Sequence, residues 1–128
     1  MVGVEHIPEL VELARGNMRK SAEGRELLET GRVKFVVGDG RKGWMETGEG
    51  GGDGESGWDA IHVGAGARKI HEELVKQLRR GGRMFIPVDD HGEERGQHIW
   101  VVDKGMDGVV LKESLYGVSY VPLTDGPS

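Results

Sequence analysis

The sequence contains no cysteine, and that absence excludes several kinds of chemistry at once. Without thiols there is no disulfide framework, no thiolate nucleophile and no zinc site built on cysteine. Long hydrophobic runs are also missing, since none approaches the ~20 residues that a membrane-spanning helix needs. The N-terminus lacks the basic and then apolar pattern of a secretory signal. We therefore expect a cytoplasmic protein with no membrane partner.

The chain is also short of positive charge. It carries 17 lysine and arginine residues against 22 aspartate and glutamate residues, for a net charge of −5 at pH 7. Such a chain is a poor ligand for a nucleic-acid backbone or an anionic membrane surface, so neither is expected as a partner. A hydrophobic content of 36% and a charged content of 30% in 128 residues indicate one globular domain with a modest core.

Three short and mostly apolar runs predict buried parallel strands. They lie at residues 33–37, 58–63 and 83–88. The last third of the chain differs, because "HIWVV", "DGVVL" and "LYGVSYV" are separated by turn signals with no helical pattern between them. Strand–helix alternation followed by a run of strands predicts an α/β sheet closed by an antiparallel section.

Helical spacing occurs in two places. One helix is predicted directly after Glu5, where Pro8 suits a first turn that needs no amide donor. The second is predicted over about 68–79. The apolar residues assigned to these two helices are Ile7, Leu10, Val11, Ala14 and Met18, then Ile70, Leu74 and Leu78. Residues 48–57, "GEGGGDGESG", predict a glycine-rich loop.

Two carboxylates follow predicted strands, where doubly wound folds bind nucleotides. Glu5 ends the first apolar run, and an acid there can accept both ribose hydroxyls. Asp39 follows strand 33–37 and can accept the adenine amine, while Gly40 lets a flat ring approach the backbone. Each acid has an ordinary alternative, as a solvated group near a helix N-terminus or as a turn residue. Their position at successive strand ends favours a binding site, and both alternatives stay open.

The segment "VGAGARK" imitates a dinucleotide-binding fingerprint without completing it. Lys69 stands where a third glycine is required after Gly64 and Gly66, and no acid follows a second strand about 20 residues later. Nicotinamide binding is therefore disfavoured. His62 is expected to be a packed histidine, and the five histidines show no metal-ligand spacing, so no metal site is predicted.

Five segments, in this order and spacing, carry a resemblance: "GVEHIPELVEL", "VVGDGR", "WDAIHVGAGA", "QLRRGGRMFIPV" and "VSYVPLTD". They resemble the protein-L-isoaspartate (D-aspartate) O-methyltransferase family from Met1 to about Asp125. The resemblance implies methyl transfer from S-adenosyl-L-methionine to the free carboxylate of isoaspartyl and D-aspartyl residues in damaged proteins, which initiates repair. Isoaspartyl-containing proteins and peptides are the implied partners, and the family is usually monomeric.

The resemblance also implies a fold and a set of site residues. Glu5 matches the position that binds the cofactor ribose, Asp39 with Gly40 matches the adenine-binding pair, and Thr124 matches a position near the cofactor. The implied fold is a Rossmann-like methyltransferase sheet with helices on both faces. Residues 1–125 would be its C-terminal part, and 126–128 a tail.

The sequence departs from the family pattern both within the matched segments and at the start of the match. The glycine-rich insert between Trp44 and Trp58 is longer than usual, and Gly66 stands where alanine is usual. The family also has a first strand with a "GxGxG" loop for the methionine end, and before it a serine and a histidine near the acceptor carboxylate. The match begins at the second strand.

The sheet is therefore expected to lack its first strand and glycine-rich loop, and no catalytic residue is expected in 1–128. In the order 3-2-1-4-5 that strand lies between the second and the fourth. The alternative is an inactive remnant that binds adenosine weakly or serves as an interaction module.

Overall fold

The structure is a computed structural model that describes residues 1–45, 57–90, 96–118 and 123. These residues divide into two units, Met1–Gly40 and Arg41–Leu123. The predicted loop lies outside the described residues except for Gly57, and so does the predicted tail. The assignment of 1–125 to one methyltransferase domain stays a prediction.

The first unit is a two-stranded parallel sheet with two helices. Its strands pair in register, with Val2 opposite Lys34 and Glu5 opposite Val37. The elements in chain order are β1 (Val2–Glu5), α1 (Pro8–Met18), α2 (Ala22–Glu29) and β2 (Lys34–Val37).

Helix α1 begins where the sequence predicts it, with Pro8 in its first turn. Val11 is only 2% exposed, and the Arg15 guanidinium donates to the Phe35 carbonyl of β2 at 2.8 Å. Leu10, predicted to lie on the buried face, is 42% exposed. The apolar stripe of α1 is therefore narrower than predicted.

The sequence analysis made no prediction for α2, although a signal was available. The Ser21 hydroxyl accepts from the Gly24 amide at 2.9 Å, as an N-cap serine does. The helix ends at Glu29, and Gly31 follows at a φ of +74°. A Cβ on Gly24 would lie 2.8 Å from the Met18 carbonyl carbon and well inside contact distance of its oxygen. Close approach of the two helix backbones therefore depends on this glycine.

The second unit is a four-stranded sheet of order β3-β4-β5-β6. Strands β3 and β4 are parallel, and the two later pairings are antiparallel, so the predicted α/β class with an antiparallel section is confirmed. The elements are β3 (Trp58–His62), α3 (Glu72–Gln77), β4 (Leu78–Asp89), β5 (Gln97–Lys104) and β6 (Val110–Val118).

The core of the second unit lies against one face of β4. Met84, Ile86 and Val88 alternate along that strand and are buried, as strand geometry requires of side chains that share a face. The other members of the cluster are Ala67, Leu74 of α3, Leu78 and Val102 of β5.

Helix α3 is shorter than the predicted span of 68–79. Leu78 leaves the helix to pair with Trp58 of β3, and its carbonyl accepts from Lys104 at 2.6 Å. The register between β3 and β4 then shifts, and Gly81 takes a φ of +82°. The "RRGG" segment is thus an irregular part of a strand, because pairing with a distant strand prevailed over helical spacing. Leu74 and Leu78 are buried as predicted, and Ile70 packs against the cluster.

A buried glutamine holds the chain before β3 against the end of α3. The Gln77 amide donates to the Lys42 carbonyl at 2.7 Å and accepts from the Trp44 amide at 3.0 Å. The Trp58 indole donates to the Trp44 carbonyl at 2.9 Å. Residues 44 and 58 are therefore joined directly, on either side of the glycine-rich insert.

Four strands have a single neighbour in the part of the chain that the structure describes, namely β1, β2, β3 and β6. There β1 pairs only with β2, and β3 pairs only with β4. Each therefore presents one edge of backbone donors and acceptors without a strand partner, as expected from the implied order. A search of the same residues for a helix of membrane-spanning length and apolarity finds none.

Gly24→Ala should lower the free energy of unfolding by about 1–3 kcal/mol, because the added methyl group meets backbone rather than a side chain that can move. The matched control is Gly16→Ala in α1, where no atom lies within 4 Å of a Cβ. That substitution should raise stability by roughly 0.5–1 kcal/mol. Urea denaturation followed by circular dichroism measures both changes, and a shift of the same sign in both variants would contradict the prediction.

Candidate functional site

Glu5 lies at the carboxyl end of β1, with its side chain 38% exposed. Its Oε1 accepts from the backbone amides of His6 at 2.9 Å and Ile7 at 3.2 Å, and the His6 Nδ1 lies 3.0 Å away. Oε1 thus stabilises the turn into α1, which is the ordinary role considered for this acid. Among the described residues, Oε2 has no hydrogen-bond partner. One oxygen is held in place while the other can receive a ligand.

Asp39 lies two residues beyond the end of β2, the strand that pairs with β1. Glu5 pairs with Val37, and the Gly38 amide donates to the Glu5 carbonyl at 3.0 Å. Asp39 and Gly40 are half-buried. Although 34 positions separate the two acids (39 − 5 = 34), the parallel register brings them to adjacent strand ends. Their predicted placement at neighbouring strand ends is confirmed, whereas their convergence on one cleft and their part in binding stay predictions.

Thr124 lies outside the described residues, so its predicted position near the cofactor stays a prediction. The described residue before it is Leu123, whose amide donates to the Gly66 carbonyl at 2.7 Å. In Ala67, which follows Gly66, the amide donates to the Pro87 carbonyl and the carbonyl accepts from the Asp89 amide, both at 2.8 Å. The turn after β3 is therefore bonded to β4 and to residue 123.

Two other expectations concern this turn. His62 is exposed, so the prediction of a packed histidine is wrong: strand alternation directs it to the open face, while Ile61 packs against the cluster. The glycines after β3 do not open a helix, because α3 begins only at Glu72. A dinucleotide fingerprint needs a helix N-terminus at that point, so this geometry also disfavours nicotinamide binding. The described residues hold no group of three or more histidines and acids arranged for a metal ion.

Sequence reasoning missed a set of polar contacts at the carboxyl end of β4. The Gln97 amide donates to Asp89 Oδ1 at 3.0 Å, and His98 Nδ1 lies 2.8 Å from both carboxylate oxygens of Asp90. Asp89 and Gln97 face each other across the antiparallel pairing of β4 and β5. No local signal reveals these pairs, because they depend on the register of two strands.

Comparison with known proteins gives one family along the whole chain. The family model for protein-L-isoaspartate(D-aspartate) O-methyltransferase matches residues 1–128. Protein-L-isoaspartate O-methyltransferase 2 of Arabidopsis thaliana is 43% identical over 97% of this chain and 36% of its own length. The enzyme of Triticum aestivum is 42% identical over 96% of this chain and 48% of its own length. The chain thus spans half or less of the length of these relatives.

A solved structure agrees with the sequence comparisons. It is a Plasmodium falciparum protein described as a protein-L-isoaspartate O-methyltransferase, in complex with S-adenosyl-L-homocysteine. The TM-score is 0.78 at 26% identity, over 98% of this chain and 52% of that one. The resemblance found in the motifs is confirmed, and the chain belongs to the protein-L-isoaspartate (D-aspartate) O-methyltransferase family.

Proposed function

We propose that residues 1–125 form the adenosine-binding and C-terminal part of a cytoplasmic protein carboxyl methyltransferase. It transfers a methyl group from S-adenosyl-L-methionine to isoaspartyl and D-aspartyl carboxylates in damaged proteins. The observation that carries the proposal is the placement of Glu5 and Asp39 at adjacent strand ends, in a chain that matches this family throughout.

Glu5 is suited to the ribose because half of its carboxylate is already fixed. Two backbone amides hold Oε1, so the group loses little rotational freedom when a ligand arrives. Oε2 can then accept both ribose hydroxyls through its two lone pairs. Charge-assisted hydrogen bonds of this kind are about twice as strong as neutral ones.

Asp39 and Gly40 are suited to the adenine. A half-buried carboxylate is partly shielded from water, which strengthens a hydrogen bond from the exocyclic amine. Gly40 has no side chain above its backbone, so a flat ring can lie close to it. Recognition of the adenosine end would thus come from two acids and one glycine.

The reaction asks little acid–base chemistry of the protein. The sulfonium carries an activated methyl group, and the acceptor carboxylate is itself the nucleophile. A bond forms from carboxylate oxygen to methyl carbon as the carbon–sulfur bond breaks, which leaves a methyl ester and S-adenosyl-L-homocysteine. The protein contributes by holding oxygen, carbon and sulfur in line and excluding water.

Glu5→Gln and Asp39→Asn should each weaken S-adenosyl-L-homocysteine binding by about 10- to 100-fold, because each removes a charged acceptor worth roughly 1.5–3 kcal/mol. Isothermal titration calorimetry measures the affinity. Glu9→Gln is the matched control, since it removes the same charge from an exposed position in the first turn of α1. Equal affinity of Glu5→Gln and Glu9→Gln would contradict the ribose assignment.

The fold of the Glu5 variants can be checked separately. Glu5→Gln keeps an oxygen for the amides of His6 and Ile7, so its stability should stay near that of the unaltered chain. Glu5→Ala removes the acceptor and should lose about 1 kcal/mol, as the loss of a capping side chain does. Thermal denaturation of the two variants distinguishes a lost ligand contact from a damaged helix start.

Residues 1–128 alone should transfer methyl groups at no more than about a hundredth of the rate of the same residues joined to the N-terminal half of the Arabidopsis relative. Adenosine contacts leave the methyl group unaligned, and a misplacement of ~1 Å costs about a hundredfold. The assay uses labelled S-adenosyl-L-methionine with an isoaspartyl peptide, and an aspartyl peptide as control. Brisk, isoaspartyl-selective turnover by residues 1–128 alone would refute this division of the site. Binding without turnover by the joined protein would favour the inactive module.

A further inference from the structure

His6 lies at the turn between β1 and α1, with its imidazole beside the Glu5 carboxylate. Its Nδ1 lies 3.0 Å from Glu5 Oε1, and its backbone amide donates to the same oxygen at 2.9 Å. The His6 side chain is 27% exposed, so the ring is largely withdrawn from water. A partly covered imidazole that contacts an acid of the candidate site calls for a role beyond that of a surface histidine.

The His6 ring completes the set of donors around Oε1. This oxygen faces the backbone amides of His6 and Ile7, at 2.9 and 3.2 Å, and Nδ1 of His6. A carboxylate has about four lone-pair sites, two on each oxygen. Three donors therefore leave Oε1 no vacant site, whereas Oε2 has no hydrogen-bond partner among the described residues. The imidazole thus makes Oε2 the oxygen that is available to a ligand.

The same contact decides which ring nitrogen carries the hydrogen. An ionised carboxylate only accepts hydrogen bonds, so Nδ1 must be the donor. In the neutral ring Nε2 then carries no hydrogen. A protonated imidazole donates from both nitrogens, so Nδ1 can donate to Oε1 in either charge state. The hydrogen bond is therefore compatible with neutral pH.

We propose that His6 is a positioning residue for the cofactor ribose, acting through Glu5. Its Nδ1–H saturates Oε1 and leaves Oε2 to accept the ribose hydroxyls. The inference deepens the proposed function and rests on it, because it needs the ribose to bind Glu5. A carboxylate that is fixed before binding loses less freedom when the ligand arrives, so removal of this donor should lower the affinity.

The first experiment determines the His6 tautomer in residues 1–128 by NMR of isotope-labelled imidazole nitrogens, at about pH 9, where histidine side chains are neutral. Nδ1 should carry the hydrogen, and the ring should lose this preference in Glu5→Ala. A hydrogen on Nε2 in the unaltered chain, or an identical His6 spectrum in Glu5→Ala, would overturn the inference. The measurement needs no cofactor and is therefore independent of the proposed function.

The second experiment measures the affinity for S-adenosyl-L-homocysteine by chemical-shift titration of His6 variants. Asparagine carries its amide nitrogen at the position of Nδ1, whereas glutamine carries it one bond further out, near the position of Nε2. His6→Asn should therefore stay within about twofold of the unaltered chain. His6→Gln and His6→Ala should each bind about tenfold more weakly, as expected for the loss of one hydrogen bond to a charged group. The asparagine and glutamine variants are matched, since both replace the imidazole with an amide.

The outcomes separate the inference from the proposed function. Equal affinities of His6→Asn and His6→Gln would refute the positioning role and leave the proposed function intact. A merely structural role would lower the thermal stability of the variants without separating their affinities. If the unaltered chain does not bind S-adenosyl-L-homocysteine, the ribose assignment of Glu5 fails and the role of His6 in binding fails with it, even where Nδ1 carries the hydrogen.

Discussion

The parallel register of β1 and β2 is the constraint on which the candidate site depends. Because Glu5 pairs with Val37 and its carbonyl accepts from Gly38, the two strands end together. The acid that closes one strand is thereby fixed beside the acid that follows the other. A slip of one residue would turn the side chains of one strand to the opposite face of the sheet. The pairing of these two strands therefore positions the two acids at their carboxyl ends.

The features that depend on interactions between residues close in sequence were predicted from local sequence patterns. The start of α1 and the two acids at strand ends follow from apolar periodicity, a proline and glycine turns, and the structure agrees. Two strand predictions were wrong: "DGVVL" and "LYGVSYV" both contribute to the single strand β6, and β2 and β3, predicted to be buried, contain no fully buried residue. Helix α2 was missed although its N-cap, Ser21, was visible in the sequence. The end of α3 was predicted wrongly because Leu78 satisfies both helical spacing and pairing with Trp58, and only the fold decides between them. The hydrogen bond between Gln97 and Asp89 depends on the register of β4 and β5, which cannot be read from either segment of the sequence alone.

The site that we propose would bind its ligand through acceptors fixed in advance, which suits a methyl transfer whose reactants are already activated. The two amides that hold one Glu5 oxygen restrict the rotation of this carboxylate before any ligand arrives.

The junction around Gln77 has a consequence for the length of the glycine-rich insert. Residues 44 and 58 are bonded to each other, and residues 42 and 44 to Gln77, so contacts among the described residues anchor both ends of the insert. The cost of closing a flexible loop rises only slowly, by about 0.6 kcal/mol for each doubling of its length. Lineages can therefore lengthen or shorten this segment almost freely, and a reporter peptide placed there would leave the strands on either side undisturbed.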